Sequence, residues 1–182
     1  MAQPTLTSQR LILRPFRVQD AAAVQVLVGD RDIAANTLNI PHPYPEGQAE
    51  RWIATHEGRF ERLEGATFAI VPRDSEKLIG AIGLEINQQH NRAELGYWVG
   101  KPYWNRGFAT EAVQAVLGYA FNALEMGRVY ASHFRRNPAS GRVMQKVGMR
   151  HEGRLRRHVR KWGSYLDLEI YGILREEYPA EL

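Results

Sequence analysis

Between Leu95 and Ala112 the chain reads LGYWVGKPYWNRGFATEA, an apolar strand that breaks at Gly100 and Pro102, passes Asn105-Arg106-Gly107 and opens directly into a helix. Arg128 to Phe134 predicts a further strand beyond that helix. If the helix is a crossover, the two strands run parallel, as a βαβ unit requires. A helix start leaves backbone N–H groups without intrahelical partners and gathers partial positive charge, so a Gly-containing turn there can wrap an anion. The same strand, turn and helix also serve as a plain connection, and the segment alone does not choose.

The remaining pattern builds a sheet around this unit. Arg10 to Phe16 predicts a first strand, and Asp20 caps a short helix from Ala21 to Val28 before Gly29. Thr37 to Pro45, with Pro41, Pro43 and Pro45, is a loop, either the rim of a binding cleft or a surface connection. A helix starts at Glu46 or Gly47 and runs through Trp52, Ile53, His56 and Phe60. Ala66 to Val71 and Leu78 to Ile86 predict antiparallel strands around the turn Pro72-Arg73-Asp74-Ser75, and Asn87 to Asn91 leads into the strand Ala93 to Val99. From Phe108 a helix carries Ala109, Ala112, Val113, Val116, Ala120 and Leu124 on one face and closes at Gly127. Asn137-Pro138 starts another, with Val143, Met144 and Val147 as its apolar stripe and Gly148 at its end. Arg150 to Arg160 and Tyr165 to Leu174, joined by Trp162-Gly163-Ser164, form a closing hairpin. With no repeat and no linker, the 182 residues form one α+β domain, residues 1–182, with helices on the faces of its sheet.

Composition narrows the function classes. Apolar residues at 44% and charged residues at 24% are ordinary for a globular chain, and no apolar stretch is long enough to span a bilayer. Met1-Ala2-Gln3-Pro4-Thr5 lacks the basic stretch and apolar core of a secretory signal, and the chain has no cysteine, so a cytoplasmic protein without thiolate chemistry is expected. The six histidines lack the paired spacing of a metal site, and no metal is expected. The net charge of +4 is uneven: Arg150, Arg154, Arg156, Arg157, Arg160 and Lys161 crowd one segment against the single acid Glu152. Such a segment attracts phosphates or an acidic partner, or else is a solvated edge that resists aggregation. No recognised nucleic-acid motif accompanies it, which argues against DNA or RNA.

Two places carry candidate chemistry. Alternation along the strand Ala93 to Val99 puts Ala93, Leu95, Tyr97 and Val99 on one face and Glu94, Gly96 and Trp98 on the other. Glu94 is a base if it lies partly buried beside a ligand, and otherwise a solvated carboxylate or a partner of Arg92. Asn137 and Ser140 make a good helix start; the Asn amide and Ser hydroxyl can equally hold a ligand's amides. Both helices start at the same end of adjacent parallel strands. If those strands diverge there, a long ligand enters between them, its phosphates at Asn105 to Thr110 and its far end against Tyr97 to Val99. A cleft of that shape suits coenzyme A.

On Arg10-Leu-Ile-Leu-Arg-Pro-Phe16, Glu94-Leu-Gly-Tyr-Trp98, Trp104-Asn-Arg-Gly-Phe-Ala-Thr-Glu-Ala112, and Asn137-x-x-Ser140 with Gln-Lys-Val-Gly-Met149, the chain resembles the GNAT superfamily of acyl-CoA-dependent N-acyltransferases. Within it the likeness is to the RimJ/RimL-like branch, which acetylates ribosomal-protein N-termini. The order and spacing of these pieces span nearly the whole length. The resemblance implies a mixed, mostly antiparallel sheet of about seven strands whose central parallel strands splay to form the coenzyme A cleft. It implies acetyl-CoA as donor, a pantetheine arm paired with the backbone of Tyr97, Trp98 and Val99, and pyrophosphate bound by Asn105, Arg106, Gly107, Phe108, Ala109 and Thr110. Asn137 would contact the pantetheine, Glu94 would act as base directly or through water, backbone N–H groups near Tyr97 or Trp98 would hold the oxyanion, and Ser140 would meet the leaving thiolate. The superfamily signature begins here with Trp104, and Val143 and Met144 stand where many members carry an acidic tyrosine. The acceptor implied is a protein N-terminal amine; a polyamine or aminoglycoside is the alternative, as is a silent acyl-CoA-binding module. The loop Thr37 to Pro45 and the basic hairpin are expected to shape the acceptor site, and the exposed sheet edge offers a surface for a homodimer.

Overall fold

Alternating apolar side chains sort into two separate clusters, one on each face of a single sheet. In β3 (Gly65–Pro72) Ala66, Phe68 and Ile70 join one cluster while Ala69 and Val71 join the other. In β5 (Arg92–Val99) Ala93, Leu95 and Val99 take the first side and Trp98 the second. This is the period of two expected of a strand covered on both faces. The computed structural model describes residues 2–179.

The sheet has eight strands in the order β1-β2-β3-β4-β5-β6-β8-β7. Besides β3 and β5 these are β1 (Leu6–Thr7), β2 (Leu11–Pro15), β4 (Gly80–Asn87), β6 (Arg128–Phe134), β7 (Arg150–Lys161) and β8 (Ser164–Leu174). The eighth strand, beyond the expected seven or so, is the two-residue β1, too short to leave a periodic signal. Every neighbouring pair is antiparallel except β5 and β6, which run parallel. The last hairpin turns on Trp162 and Gly163, both at positive φ (50° and 81°), which is the twist a two-residue hairpin loop requires.

One face is covered by α5 (Phe108–Gly118) and α6 (Pro138–Lys146), the other by α1 (Ala21–Val28) and α3 (Gln48–Ala54). The α5 stripe is Ala112, Val113, Val116 and Leu117, and the helix continues as a wide π turn over Tyr119–Ala123. It ends earlier than expected. Glu125, not Gly127, takes the left-handed conformation (φ 54°), and the Met126 N–H bonds back to the Ala120 carbonyl at 2.9 Å. Gly148 (φ 87°) ends the α6 segment as expected. The expected helix through Phe60 is two, α3 and α4 (His56–Glu61), meeting at Thr55. A further helix, α2 (Arg31–Asn36), starts at Asp30, whose carboxylate accepts the Asp32 N–H at 2.8 Å.

Asp20 does not cap α1. Its carboxylate accepts from both Arg14 guanidinium nitrogens at 2.8 Å and from the Arg17 N–H at 2.7 Å. Burial pushes that carboxyl up, but the Arg14 and Arg17 hydrogen bonds and charges more than reverse this and hold it below the ordinary range. His56 is buried between Phe16 and Trp52, 5.2 and 4.4 Å from their ring centroids, and neither ring nitrogen has a hydrogen-bond partner among the described residues. Burial first, then the charge of Arg59, pushes its imidazole down to about 4.

The unfolded chain, with an ordinary histidine near 6.5, therefore takes up a proton that the folded chain refuses between about pH 6.5 and 4, and stability falls as pH falls through that window. Denaturant unfolding at pH 7 and pH 5 should show His56 contributing a loss of about 2 kcal/mol. His56→Phe should remove that share of the pH dependence; an identical dependence in the variant would refute the assignment.

Candidate functional site

β5 pairs with β4 along all eight of its residues, but with β6 only at Arg92↔Arg128, Ala93↔Val129 and Glu94↔Tyr130. Beyond Glu94 the two parallel strands part. Leu95 to Val99 thus present an edge that β6 does not fill, and a cleft of about 330 Å³ opens there. That volume lies within the range of ligand pockets.

The cleft wall from β5 into α5 is built by a backbone that turns twice through left-handed conformation, at Asn105 (φ 61°) and Gly107 (φ 78°). Asn tolerates that region and Gly is free in it. The first helical bond runs from the Glu111 N–H to the Gly107 carbonyl at 3.1 Å, so the N–H groups of Phe108, Ala109 and Thr110 lie ahead of the hydrogen-bonded helix. Glu111 also anchors the turn: its carboxylate accepts from Ser8 Oγ (2.7 Å), the Arg10 N–H (2.6 Å) and Arg10 Nε (2.7 Å). Arg10 in turn donates to the Arg106 carbonyl at 3.0 Å. The donors of a helix start are thereby fixed in place before any ligand arrives. Burial would raise the Glu111 carboxyl, but the hydrogen bonds from Arg10 and Ser8 hold it below the usual range.

Tyr97, Trp98, Val99, Asn105, Arg106, Gly107, Phe108, Ala109, Thr110, Asn137 and Ser140 all line this cleft. The cleft thus brings together eleven of the twelve residues singled out from the sequence. Glu94 is the exception. It is half-buried at the last parallel pair, on the opposite face of β5 from Tyr97, and accepts a hydrogen bond from the Tyr130 hydroxyl at 3.2 Å. Burial and then the Glu94 charge raise the Tyr130 hydroxyl.

Trp104 refines the expected backbone contacts. Its indole Nε1 donates to the Val99 carbonyl at 2.6 Å, so that carbonyl already has a donor. The bond also shows that Val99 turns its backbone polar groups toward the open edge, and Tyr97, two residues earlier, turns the same way. Trp98 turns toward β4, where its carbonyl would collide with a Cβ on Gly80. Of the three expected backbone partners, Tyr97 alone has both N–H and C=O directed to the cleft edge and clear of Trp104.

At the facing wall, Asn137 caps α6. Its Oδ1 accepts the Ser140 N–H at 3.5 Å and its Nδ2 donates to Ser140 Oγ at 3.1 Å. The cap reading is therefore correct, and one Asn137 amide hydrogen stays uncommitted to it. The Tyr97 hydroxyl, not foreseen as chemistry, is buried near Ser140 with no hydrogen-bond partner among the described residues. Burial raises it, and the Ser140 hydroxyl draws it partly back. Arg142 and Lys146 also line the cleft. Their i,i+4 spacing on α6 was the legible signal for two further cations in the cleft that Arg106 lines.

The residues fit coenzyme A: free helix-start N–H groups and cations for a pyrophosphate, and an open strand edge for a chain of amides. Among the described residues no three His, Asp or Glu side chains gather as metal ligands, and no helix is long and apolar enough to cross a membrane.

Residues 10–150 match the family model of an acetyltransferase (GNAT) domain. An uncharacterized N-acetyltransferase of Bacillus subtilis strain 168, YoaA, is 34% identical over 173 residues, which cover 94% of this chain and 97% of the relative. A solved acetyltransferase of the GNAT family from Bacillus anthracis is similar at a TM-score of 0.85 with 27% identity, over 96% of this chain and all of that one. RimJ of Mycobacterium smegmatis, solved with a CoA disulfide, shares the fold at a TM-score of 0.87 with 24% identity, over 98% of this chain and 90% of that one.

Gly107→Ala tests the turn. A Cβ there forces a left-handed conformation that costs a non-glycine residue roughly 1–2 kcal/mol, and it approaches Arg10 Nη2 at 3.3 Å. Calorimetric titration should show coenzyme A binding weakened about tenfold. Unaltered affinity would show that the turn does not hold the ligand.

Proposed function

This chain belongs to the GNAT family of acetyl-CoA-dependent N-acetyltransferases, and we propose that the amine it acetylates is the N-terminal amine of a peptide chain. One observation carries the reading: β5 and β6 part just after Glu94 and Tyr130, so Glu94 lies at the start of the opening that Tyr97 and Ser140 line farther along. Donor and acceptor meet in that opening in a ternary complex, with no covalent acyl-enzyme.

The residues divide the work as follows. Arg106 to Thr110 hold the pyrophosphate of acetyl-CoA through main-chain N–H groups, and the Tyr97 backbone and Asn137 amide orient the pantetheine arm. Glu94, directly or through one water, takes the proton of the acceptor ammonium, and the freed lone pair attacks the acetyl carbonyl carbon. The Tyr97 N–H is directed to the edge where the oxyanion develops. As the tetrahedral centre collapses, the C–S bond breaks and the thiolate leaves beside the Ser140 hydroxyl, with the buried Tyr97 hydroxyl, protonated at neutral pH, behind it. The products are an acetylated amine and free coenzyme A.

The charge around the acceptor end favours a peptide over a polyamine. Arg135, Arg136, Arg156, Arg157, Arg160 and Lys161 enter no ion pair among the described residues. A polycation approaching them is repelled at every charge, whereas a peptide N-terminus brings one positive charge and loses it to the base.

Thiol release measured with short peptides bearing free N-termini should exceed that with spermidine and spermine by at least about tenfold in kcat/KM. Turnover confined to the polyamines would overturn the reading. Glu94→Gln should lower kcat about a hundredfold with the acetyl-CoA KM retained, the loss typical of a missing general base. Full turnover in that variant would remove Glu94 from the mechanism.

A further inference from the structure

The hairpin of β7 and β8 separates its charges along its length. At its base Arg150 pairs with Glu177 at 2.7 Å, and Arg154 and His151 share Glu169 at 2.6 and 2.7 Å. Toward its tip Arg156, Arg157 and Arg160, all exposed, enter no ion pair among the described residues. Among the described residues the Asp167 carboxylate accepts the Arg157 backbone N–H at 2.8 Å and no guanidinium. Arg135, at the end of β6, is exposed and likewise outside any ion pair among the described residues.

Two neighbouring cations are already occupied, and their task locates the cluster. Lys161 Nζ donates to the carbonyls of Thr37, Leu38 and Ile40, and Arg136 Nη2 donates to the Ala35 carbonyl at 2.6 Å. They clamp the segment from α2 into the following loop against the hairpin tip. Asn36 and Thr37 of that segment line the cleft, as does Asn137, the residue after Arg136. Arg135 and Arg160, each one residue from a clamp, therefore lie beside the segment whose Asn36 and Thr37 form part of the cleft wall. The donor does not need them, because Arg106, Arg142 and Lys146 line the cleft on the α5 and α6 side.

Two of the free arginines share an aromatic neighbour. The Cζ atoms of Arg157 and Arg160 lie over the Tyr165 ring, 4.5 and 5.9 Å from its centroid. A guanidinium drawn to a ring face keeps its N–H edge open to carboxylates, which it grips in pairs. Arg157 sits at a positive φ of 49° in the irregular stretch between Leu155 and Val159, where the chain departs from regular pairing with β8. A bulge of this kind re-aims a side chain.

We propose that Arg135, Arg156, Arg157 and Arg160 form an acceptor subsite for carboxylate side chains, so that the preferred substrates are peptides with aspartate or glutamate within a few residues of the acetylated N-terminus. This rests on the peptide-acceptor reading above and adds its substrate class. Extended peptide advances about 3.3–3.6 Å per residue, so the third to fifth positions lie roughly 7–14 Å from the reacting amine, beyond the cleft and toward the surface that carries these arginines.

The test uses the full-length protein and three hexapeptides identical at their first two residues, with aspartate, glutamine or arginine at positions three to five. At low salt the acidic peptide should exceed the glutamine peptide at least tenfold in kcat/KM, chiefly through KM, and the arginine peptide should be poorest. Raising NaCl should shrink the ratio, since exposed charges are screened. In the double variant R157Q/R160Q the acidic-to-neutral ratio should fall toward one, with acetyl-CoA affinity and melting temperature confirming an intact protein. Equal use of all three peptides by the wild type, or an unchanged ratio in the folded variant, overturns the subsite while leaving peptide acetylation standing. Turnover of none of the three, with polyamines turned over, overturns the peptide reading and the subsite with it.

Discussion

A parallel pair of strands in the middle of a sheet ordinarily pairs along its length, because an unpaired backbone group buried away from water costs about as much as a lost hydrogen bond. Here β5 keeps eight partners on β4 and three on β6. The edge left over from Leu95 to Val99 is the founding fact of the molecule's chemistry. It supplies open backbone groups, and it forces the connection out of β5 to turn at the mouth of the gap. It also aligns the starts of α5 and α6 on either side. What remains unsatisfied there is satisfied partly from within, by the Trp104 indole on the Val99 carbonyl.

Holding such a gap open requires supports elsewhere. Glu111 and Arg10 tie the start of α5 to the turn between β1 and β2, far away in sequence, and Asn137 and Ser140 secure the start of α6. On the far side, the hairpin tip reaches over to the loop after α2 through Lys161, whose ammonium is lowered by burial and by the Arg136 charge but gathers three carbonyls. Apart from the local Asn137–Ser140 cap, these contacts join segments distant in the chain, each setting a charged group against backbone carbonyls or a carboxylate. Such contacts are directional, and they orient the walls more tightly than apolar packing alone.

Local periodicity made much of this legible. The strand Arg128–Phe134 and the two-faced alternation of Ala93 to Val99 follow from side-chain spacing, and the left-handed residue closing the α6 segment follows from Gly148. What escaped were features with no local signature. α2 is six residues with one capping aspartate, and Glu125 closes α5 in a conformation that glycine more often supplies. Asp20 looked like a cap because its partner Arg14 lies six positions back, outside the capping pattern. The Tyr97 hydroxyl and the hold of Lys161 on Thr37, 124 positions earlier, emerge only once the strands part and the hairpin folds over. The cleft residues were recovered because a strand, a turn and a helix start are contiguous in sequence, whereas the acceptor side is assembled from pieces that are not.

The three pairs between β5 and β6 also divide the sheet into two panels, β1 to β5 and β6, β8 and β7, joined across few rungs and by the passage of α5. A ligand lying against the β5 edge and reaching α6 supplies the rungs that the chain omits, stitching one panel to the other. Binding and folding then draw on the same free energy, since whatever occupies the gap favours the closed sheet over every form in which the panels separate. On the proposed binding mode the donor would act as a temporary strand of the protein, and the enzyme would be most completely folded when about to react.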